Sequence, residues 1–110
     1  MWACRARPTV PGMGFIQIQT FTTGDIEALR NAEKEWAQAT EGRRTLRGGG
    51  VYVDRDHPDR YMIVAEFDSY ESAMENSNLP ETGRIAKQLR ELVDGDITYT
   101  NLDLVAPLQA

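Results

Sequence analysis

Residues 14–21, GFIQIQTF, alternate between two sets of side chains, which is the period of a β-strand. One set is Ile16, Ile18 and Thr20, and the other is Phe15, Gln17, Gln19 and Phe21. The next segment changes to helical spacing, with Thr23 or Asp25 as its predicted N-cap and Gly42 at its end. Its apolar stripe consists of Ile26, Leu29, Ala32, Trp36 and Ala39. The pattern predicts a strand followed by an amphipathic helix.

Residues 43–67 have the pattern of a β-hairpin. The first strand is predicted to extend to about Asp54, with the turn in DRDHPDR and the second strand at residues 61–67. Three glycines at 48–50 suggest a bulge in the first strand rather than a phosphate-binding loop, because they lack the required spacing and open no helix. The second strand is apolar on both faces, which is typical of a central strand.

The last helical stretch, residues 69–93, is interrupted by NSNLPET at residues 76–82. Pro80 fits the first turn of a restarted helix, and Asn78 is predicted to cap that helix while Glu81 reaches back. The apolar stripe continues beyond the break at Ile85, Leu89 and Leu92. Asp94 and Gly95 end the helix, and DITYTNLDLV then alternates as a final strand.

The predicted order is β-α-β-β-α-β, which defines an α+β class, ferredoxin-like domain. Its four-stranded antiparallel sheet has the first and third strands in the centre and two helices on one face. The other face would expose Ile, Val, Met and Leu side chains, so we expect a symmetric homodimer that buries it. The predicted organisation is a flexible N-terminal arm at 1–12, the domain at 13–106 and a C-terminal tail at 107–110.

Composition and charge narrow the partners. The chain has 110 residues, 41% of them hydrophobic, and a formal net charge of -5, which disfavours nucleic acid as a partner. The N-terminal residues lack the apolar run of a secretory signal, and no stretch is long enough to predict a membrane span. The single cysteine, Cys4, forms no internal disulfide, so we expect a reducing, cytoplasmic location.

Two segments, EFDSYESAMENSNLPETGRIAK at 66–87 and DGDITYTNLDLV at 94–105, together with the order of elements, resemble the dimeric α+β barrel superfamily. The similarity is to its antibiotic-biosynthesis-monooxygenase-like branch and covers about residues 13–106. The resemblance implies two sheets that face each other across a dimer, and a ligand pocket between the helices and the sheet. It also implies a range of activities: cofactor-independent oxygenation of polycyclic phenols, haem degradation, isomerisation, or no known reaction.

The positions that matter in the haem-degrading members differ here. By the resemblance, an Asn, a Trp and the haem-ligating His fall at Gln17, Asn76 and Ile85. Ile85 cannot ligate iron, so haem is not expected and we predict no cofactor. An oxygenase also loses its Trp at Asn76, although Gln17 keeps an amide at the first-strand position.

The candidate ligand-binding residues are Gln17, Gln19, Trp36, Glu66, Asn76 and Asn78. Gln17 and Asn76 are the candidate catalytic groups, because an amide can polarise a phenolate or carbonyl oxygen. Glu66 becomes a candidate base if it is buried beside the cleft. Four of these residues also have a structural interpretation: Trp36 as core, Asn78 as a helix cap, and the glutamines as partners of each other or of neighbouring polar groups.

Two interpretations of the function remain open. One is a homodimer that binds a small, apolar or aromatic molecule in the helix-sheet cleft and oxygenates it without a cofactor. The other is a non-catalytic ligand-binding or interaction module. A metal site is not expected, because the only histidine, His57, lies in a segment that reads as a solvated turn.

Overall fold

The computed structural model describes residues 14–109. The predicted arm at residues 1–12 lies outside the described residues, as do Met13 and Ala110. The elements are β1 (Phe15–Thr22), α1 (Ile26–Ala39), β2 (Gly48–Asp54), β3 (His57–Phe67), α2 (Tyr70–Ser77), α3 (Pro80–Leu92) and β4 (Asp94–Asp103). The predicted order is confirmed, and the interrupted helix is two helices, α2 and α3.

The strands pair in the order β2-β3-β1-β4, and every neighbouring pair is antiparallel. β1 and β3 are central, so the ferredoxin-like prediction is confirmed. Directly paired residues on neighbouring strands share a face of the sheet. We call the inner face the one that carries Phe15, Gln17, Gln19 and Phe21, and the outer face the one that carries Ile16, Ile18 and Thr20. All three helices lie over the inner face.

The β2-β3 hairpin is tighter than the sequence predicted. β3 already begins at His57, and the backbone N–H of Asp56 donates to Asp54 Oδ1 over 2.9 Å within a two-residue turn. The pairing shifts between Val53 and Asp54, which leaves Pro58 without a partner strand opposite it. A proline that lacks an N–H is accommodated at such an irregularity.

The predicted bulge at residues 48–50 is wrong, because these glycines pair in regular register with β3. The strand also begins at Gly48 rather than at Arg43. Gly49 has φ +132°, and a Cβ built on it would lie 1.8 Å from the carbonyl oxygen of Val64. Glycine is therefore required at this position for close approach to the neighbouring backbone.

Local hydrogen bonds begin the first two helices. Asp25 Oδ1 accepts from the N–H of Ala28 at the start of α1, while Ser69 Oγ accepts from the N–H of Ser72 at the start of α2. Thr23, the other predicted cap of α1, is instead buried and donates its hydroxyl to the carbonyl of Leu92 over 2.7 Å.

The break between α2 and α3 differs from the prediction. Asn78 is the C-cap of α2, where its N–H donates to Met74 O, and it does not cap α3. Leu79 occupies the N-cap of α3 and makes no side-chain hydrogen bond there. Its carbonyl accepts from the N–H groups two and three residues after Pro80, which itself has no N–H to satisfy. The turn thus needs no side-chain cap from Asn78.

Two apolar clusters stand at opposite ends of the inner face. Phe15, Phe67 and Ala73 form one, and Phe21, Leu29 and Leu89 form the other. Between the two phenylalanines, β1 presents Gln17 and Gln19 to the helices. The core is therefore divided by a polar segment of the same strand. Within the described residues, no helix has the length and apolarity needed to cross a membrane.

Candidate functional site

A cavity of about 320 Å³ lies between the inner face and the helices, at the gap between the two apolar clusters. All four strands contribute to its floor, and all three helices contribute to its roof. Its size is at the lower end of the range for small-molecule sites. Most of its lining is apolar, so its few polar groups would determine which ligands it accepts.

Two glutamines lie on the floor. Gln17 Nε2 donates to Oδ1 of Asn101, its partner on β4, over 3.0 Å. Gln19 lies opposite Tyr99, which is also on β4. The Gln19 amide makes no hydrogen bond among residues 14–109. Tyr99 also lines the cavity and is 49% exposed. The structure brings both predicted glutamines to the cavity, but only Gln17 has a protein partner.

Asn76 is the most buried polar residue of the cavity wall, with only 7% of its surface exposed. Its Oδ1 accepts from the backbone N–H of Thr45 over 3.1 Å. The hydroxyl of Thr45 donates in turn to the carbonyl of Ser72 on α2. These two bonds fix the loop before β2 against α2, and Leu46 in that loop lines the cavity. Asn76 is therefore both a structural link and a cavity residue.

Trp36 lines the cavity from α1, and its ring nitrogen is fully used within the protein. Nε1 donates to Thr82 Oγ1 on α3 over 2.9 Å. The guanidinium of Arg44 lies 5.8 Å from the ring centroid, within the range of a cation-π contact. This position agrees with Trp36 as a packed core residue and also with Trp36 as part of the pocket wall.

Beside this link, an ion pair joins the end of α1 to the start of α3. Arg43 donates to Glu81 Oε2 over 2.6 Å and also to the carbonyl of Ala39. The Arg43 guanidinium, followed by the backbone N–H of Glu81 itself, holds the pKa of the Glu81 carboxyl below its usual value. Glu81 Oε1 is buried and has no partner within the described range.

The other predicted residues do not line the cavity. Glu66 pairs with Ile16 and Gly48 and so lies on the outer face, which removes it as a candidate base for the cleft. Asn78 is exposed at the end of α2. His57 contacts Asp54 at 3.5 Å in the hairpin, and no group of three metal-ligating side chains occurs in the described part of the chain.

Several lining residues were not singled out from the sequence: Arg30, Glu33, Thr82 and Gly83. One of them carried a signal, because Gly83 lies inside a helix, where glycine costs about 1 kcal/mol relative to alanine. The two charged lining residues on α1, Arg30 and Glu33, carried no such signal. They lie on what reads as an ordinary solvated helix face, where Arg30 bonds Glu27 at 3.3 Å.

No protein-family model and no curated protein sequence matches the chain. Solved structures do share its ferredoxin-like α+β fold. A candidate antibiotic biosynthesis monooxygenase from Deinococcus radiodurans has a TM-score of 0.70 at 20% identity, over 87% of this chain and 97% of that one. Another from Nitrosomonas europaea has a TM-score of 0.71 at 10% identity, over 91% and 98%. A conserved protein from Methanosarcina mazei has a TM-score of 0.70 at 16% identity, over 84% and 94%.

Proposed function

We propose that the protein is a homodimer in which the helix-sheet cavity of each chain binds a small, mostly apolar and aromatic molecule. The observation that carries this proposal is the cavity of about 320 Å³, with an apolar lining and the amides of Gln17, Gln19 and Asn76 at its surface. A flat ring fits the apolar walls, and the amides supply the few directional contacts that orient a ligand.

A plug in the cavity tests this proposal. Ala65 lies on the inner face opposite Gln17, so Ala65→Phe directs a ring into the cavity between the two apolar clusters. We expect small aromatic probes, such as 2-naphthol, to bind the wild type by calorimetry and to lose binding in the variant while its melting temperature stays close to that of the wild type. Equal binding by both proteins would contradict the proposal.

Cofactor-independent oxygenation is the reaction that we propose for the bound molecule. Its support is the resemblance in fold to candidate monooxygenases and the amides of Gln17 and Asn76. These amides would stabilise negative charge on a phenolate oxygen. Oxygen consumption with phenolic substrates tests it. Turnover should fall in Gln17→Ala without a loss of folded protein, and unchanged turnover in that variant would remove Gln17 from the mechanism.

The outer face supports the proposed dimer. Its apolar residues include Ile16, Ile18, Met62, Val64 and Leu102, and 44% of Leu102 is exposed. Burying such a face against a second copy removes apolar surface from water. Sedimentation should give twice the 12.4 kDa chain mass for the wild type and the single mass for Ile18→Glu. A wild-type monomer at micromolar concentration would refute the dimer.

A non-catalytic ligand-binding or interaction module is the second candidate. It is favoured by the fact that three polar groups near the cavity already have protein partners: Asn76 Oδ1, Gln17 Nε2 and Trp36 Nε1. Groups that hold the fold together need no catalytic role. Binding of aromatic probes with no oxygen consumption, across phenols of different size, would favour this candidate.

A further inference from the structure

The orientation of the Asn76 amide leaves one side of it without a protein partner. The backbone N–H of Thr45 requires an acceptor, so the side of the amide that faces Thr45 is Oδ1. Nδ2 makes no hydrogen bond within residues 14–109. Glu81 Oε1 is the one side-chain atom of this described range that is both fully buried and unpartnered, so Nδ2 must retain access to open space. The open space that Asn76 lines is the cavity.

Thr82 has a similar spare donor. Its Oγ1 accepts from Trp36 Nε1, which uses one of the oxygen's lone pairs and leaves the hydroxyl proton available. The Thr82 hydroxyl makes no other hydrogen bond in the part of the chain that the structure describes, and Thr82 lines the cavity. The bond from Trp36 on α1 to Thr82 on α3 joins two helices, and it holds the partly buried hydroxyl in place.

These two donors lie on either side of the break between α2 and α3, with Gly83 beside them. A Cβ built on Gly83 would meet no atom within 4 Å, although Gly83 itself lines the cavity. Packing therefore does not require glycine at this position. Glycine thus leaves this part of the cavity lining, beside Thr82, without a side chain.

We propose that Asn76 Nδ2 and Thr82 Oγ1 form a donor pair that binds one hydrogen-bond-accepting oxygen of the cavity ligand. The ligand class is a flat, mostly apolar molecule with an oxygen conjugated to its ring, as in an aryl ketone or a phenolate. The proposal rests on the proposed function of the cavity, and it adds Thr82 Oγ1 to the Asn76 amide as a second donor to the ligand oxygen. Gln17 Nε2 has already used one of its two N–H groups on Asn101.

A matched pair of probes tests the donor pair. 1-Tetralone and tetralin have the same bicyclic skeleton, but only the ketone has an accepting oxygen. In NMR titrations of the wild-type protein we expect about tenfold tighter binding of the ketone, from two hydrogen bonds to a partly buried oxygen. The Asn76 side-chain amide resonance should shift with the ketone and not with the hydrocarbon.

Asn76→Asp is the decisive variant. At pH 8, so that the introduced carboxyl is ionised, it still accepts from Thr45 N–H but offers the ligand only an acceptor. We expect the ketone preference to disappear while tetralin binds as it does to the wild type. If this variant fails to fold, Thr82→Val removes the second donor, and Thr82→Ser is its control, because serine keeps a hydroxyl that can still accept from Trp36 Nε1.

The outcomes separate the two proposals. Binding of neither probe to the wild type would overturn the cavity's proposed function and the donor pair with it. Equal binding of both probes, unchanged by Asn76→Asp, would leave the cavity proposal standing and overturn the donor pair. A ketone preference that is lost in Thr82→Val but kept in Thr82→Ser would support the pair even without data on Asn76.

Discussion

The inner face of β1 is packed at its two ends and open in its middle. Phe15 and Phe21 are 2% and 3% exposed, whereas Gln17 and Gln19 between them line a cavity. The four side chains belong to one strand and point the same way, so the alternation alone does not separate them. The difference lies in what faces them, because the lining of the middle includes the small residues Ala65 on the sheet and Ala86 and Gly83 on α3. The ends stabilise the fold, and the middle is available for a ligand.

The largest expected effect comes from a change at a packed end. Phe21→Ala removes a ring that packs with Leu29, Leu89 and Tyr61, and the loss should lower the free energy of unfolding by about 3–5 kcal/mol. Urea denaturation measures it. The matched change in the middle, Gln19→Ala, should cost less than about 1 kcal/mol because the amide has no partner within the described range. Similar losses at both positions would contradict the division of the face.

A smaller loss is expected where the roof of the cavity is tied together. Trp36→Phe removes the hydrogen bond to Thr82 and should lower the free energy of unfolding by about 1–2 kcal/mol. A double-mutant cycle with Thr82→Val isolates this bond, because the double variant should lose little more than either single variant. Fully additive losses would show that the bond contributes nothing.

A gain in stability is expected from filling the open middle slightly. Gly83→Ala should raise the free energy of unfolding by about 0.5–1 kcal/mol, since alanine is the better helix former and its methyl meets no atom within 4 Å. Thermal denaturation measures the shift. Gly49→Ala is the control with the opposite sign, because it combines a positive φ with a backbone contact. A less stable Gly83→Ala protein would argue against the open space.

The smallest effect concerns pH at the ion pair beside the cavity. Because Arg43 holds the Glu81 pKa below its ordinary value of 4.5, the pair stabilises the fold above that pH. The contribution should be lost as the pH falls through the lower, folded-state pKa. In urea midpoints measured from pH 7 to pH 3, the advantage of the wild type over Glu81→Gln should shrink only at the acid end. A constant difference would mean that the pair contributes nothing.

The local predictions succeeded where one short segment contains all of the information. The Asp25 cap, the helix break near Pro80 and the end of α3 before β4 follow from neighbouring residues, and the structure has them. Two of the failures depend on distant partners. The glycines at 48–50 meet the backbone of Val64, which the strand's own pattern cannot reveal. Glu66 lies on the outer face because it pairs with Ile16. The sequence could not predict this, since β3 is apolar on both faces and its pattern does not show which residues face the helices.

Part of the candidate site was also predictable. An amide in a helix interior pointed to Asn76, and alternation placed Gln17 and Gln19 on one face. The bonds that set their chemistry were not predictable, because Thr45 and Asn101 are 31 and 84 residues away in sequence from Asn76 and Gln17. Which nitrogen or oxygen remains available for a ligand depends on these bonds.

The sequence by itself determined the order of the elements and the ferredoxin-like arrangement, because apolar periodicity, caps and glycine or proline breaks act over a few residues. Only the tertiary structure decided where the core leaves a space. That space depends on the register that sets Gln17 beside Ala65 and on the packing that places Gly83 in the lining of the same cavity. A cavity is a mismatch between volumes contributed by separate elements, and no single element contains it.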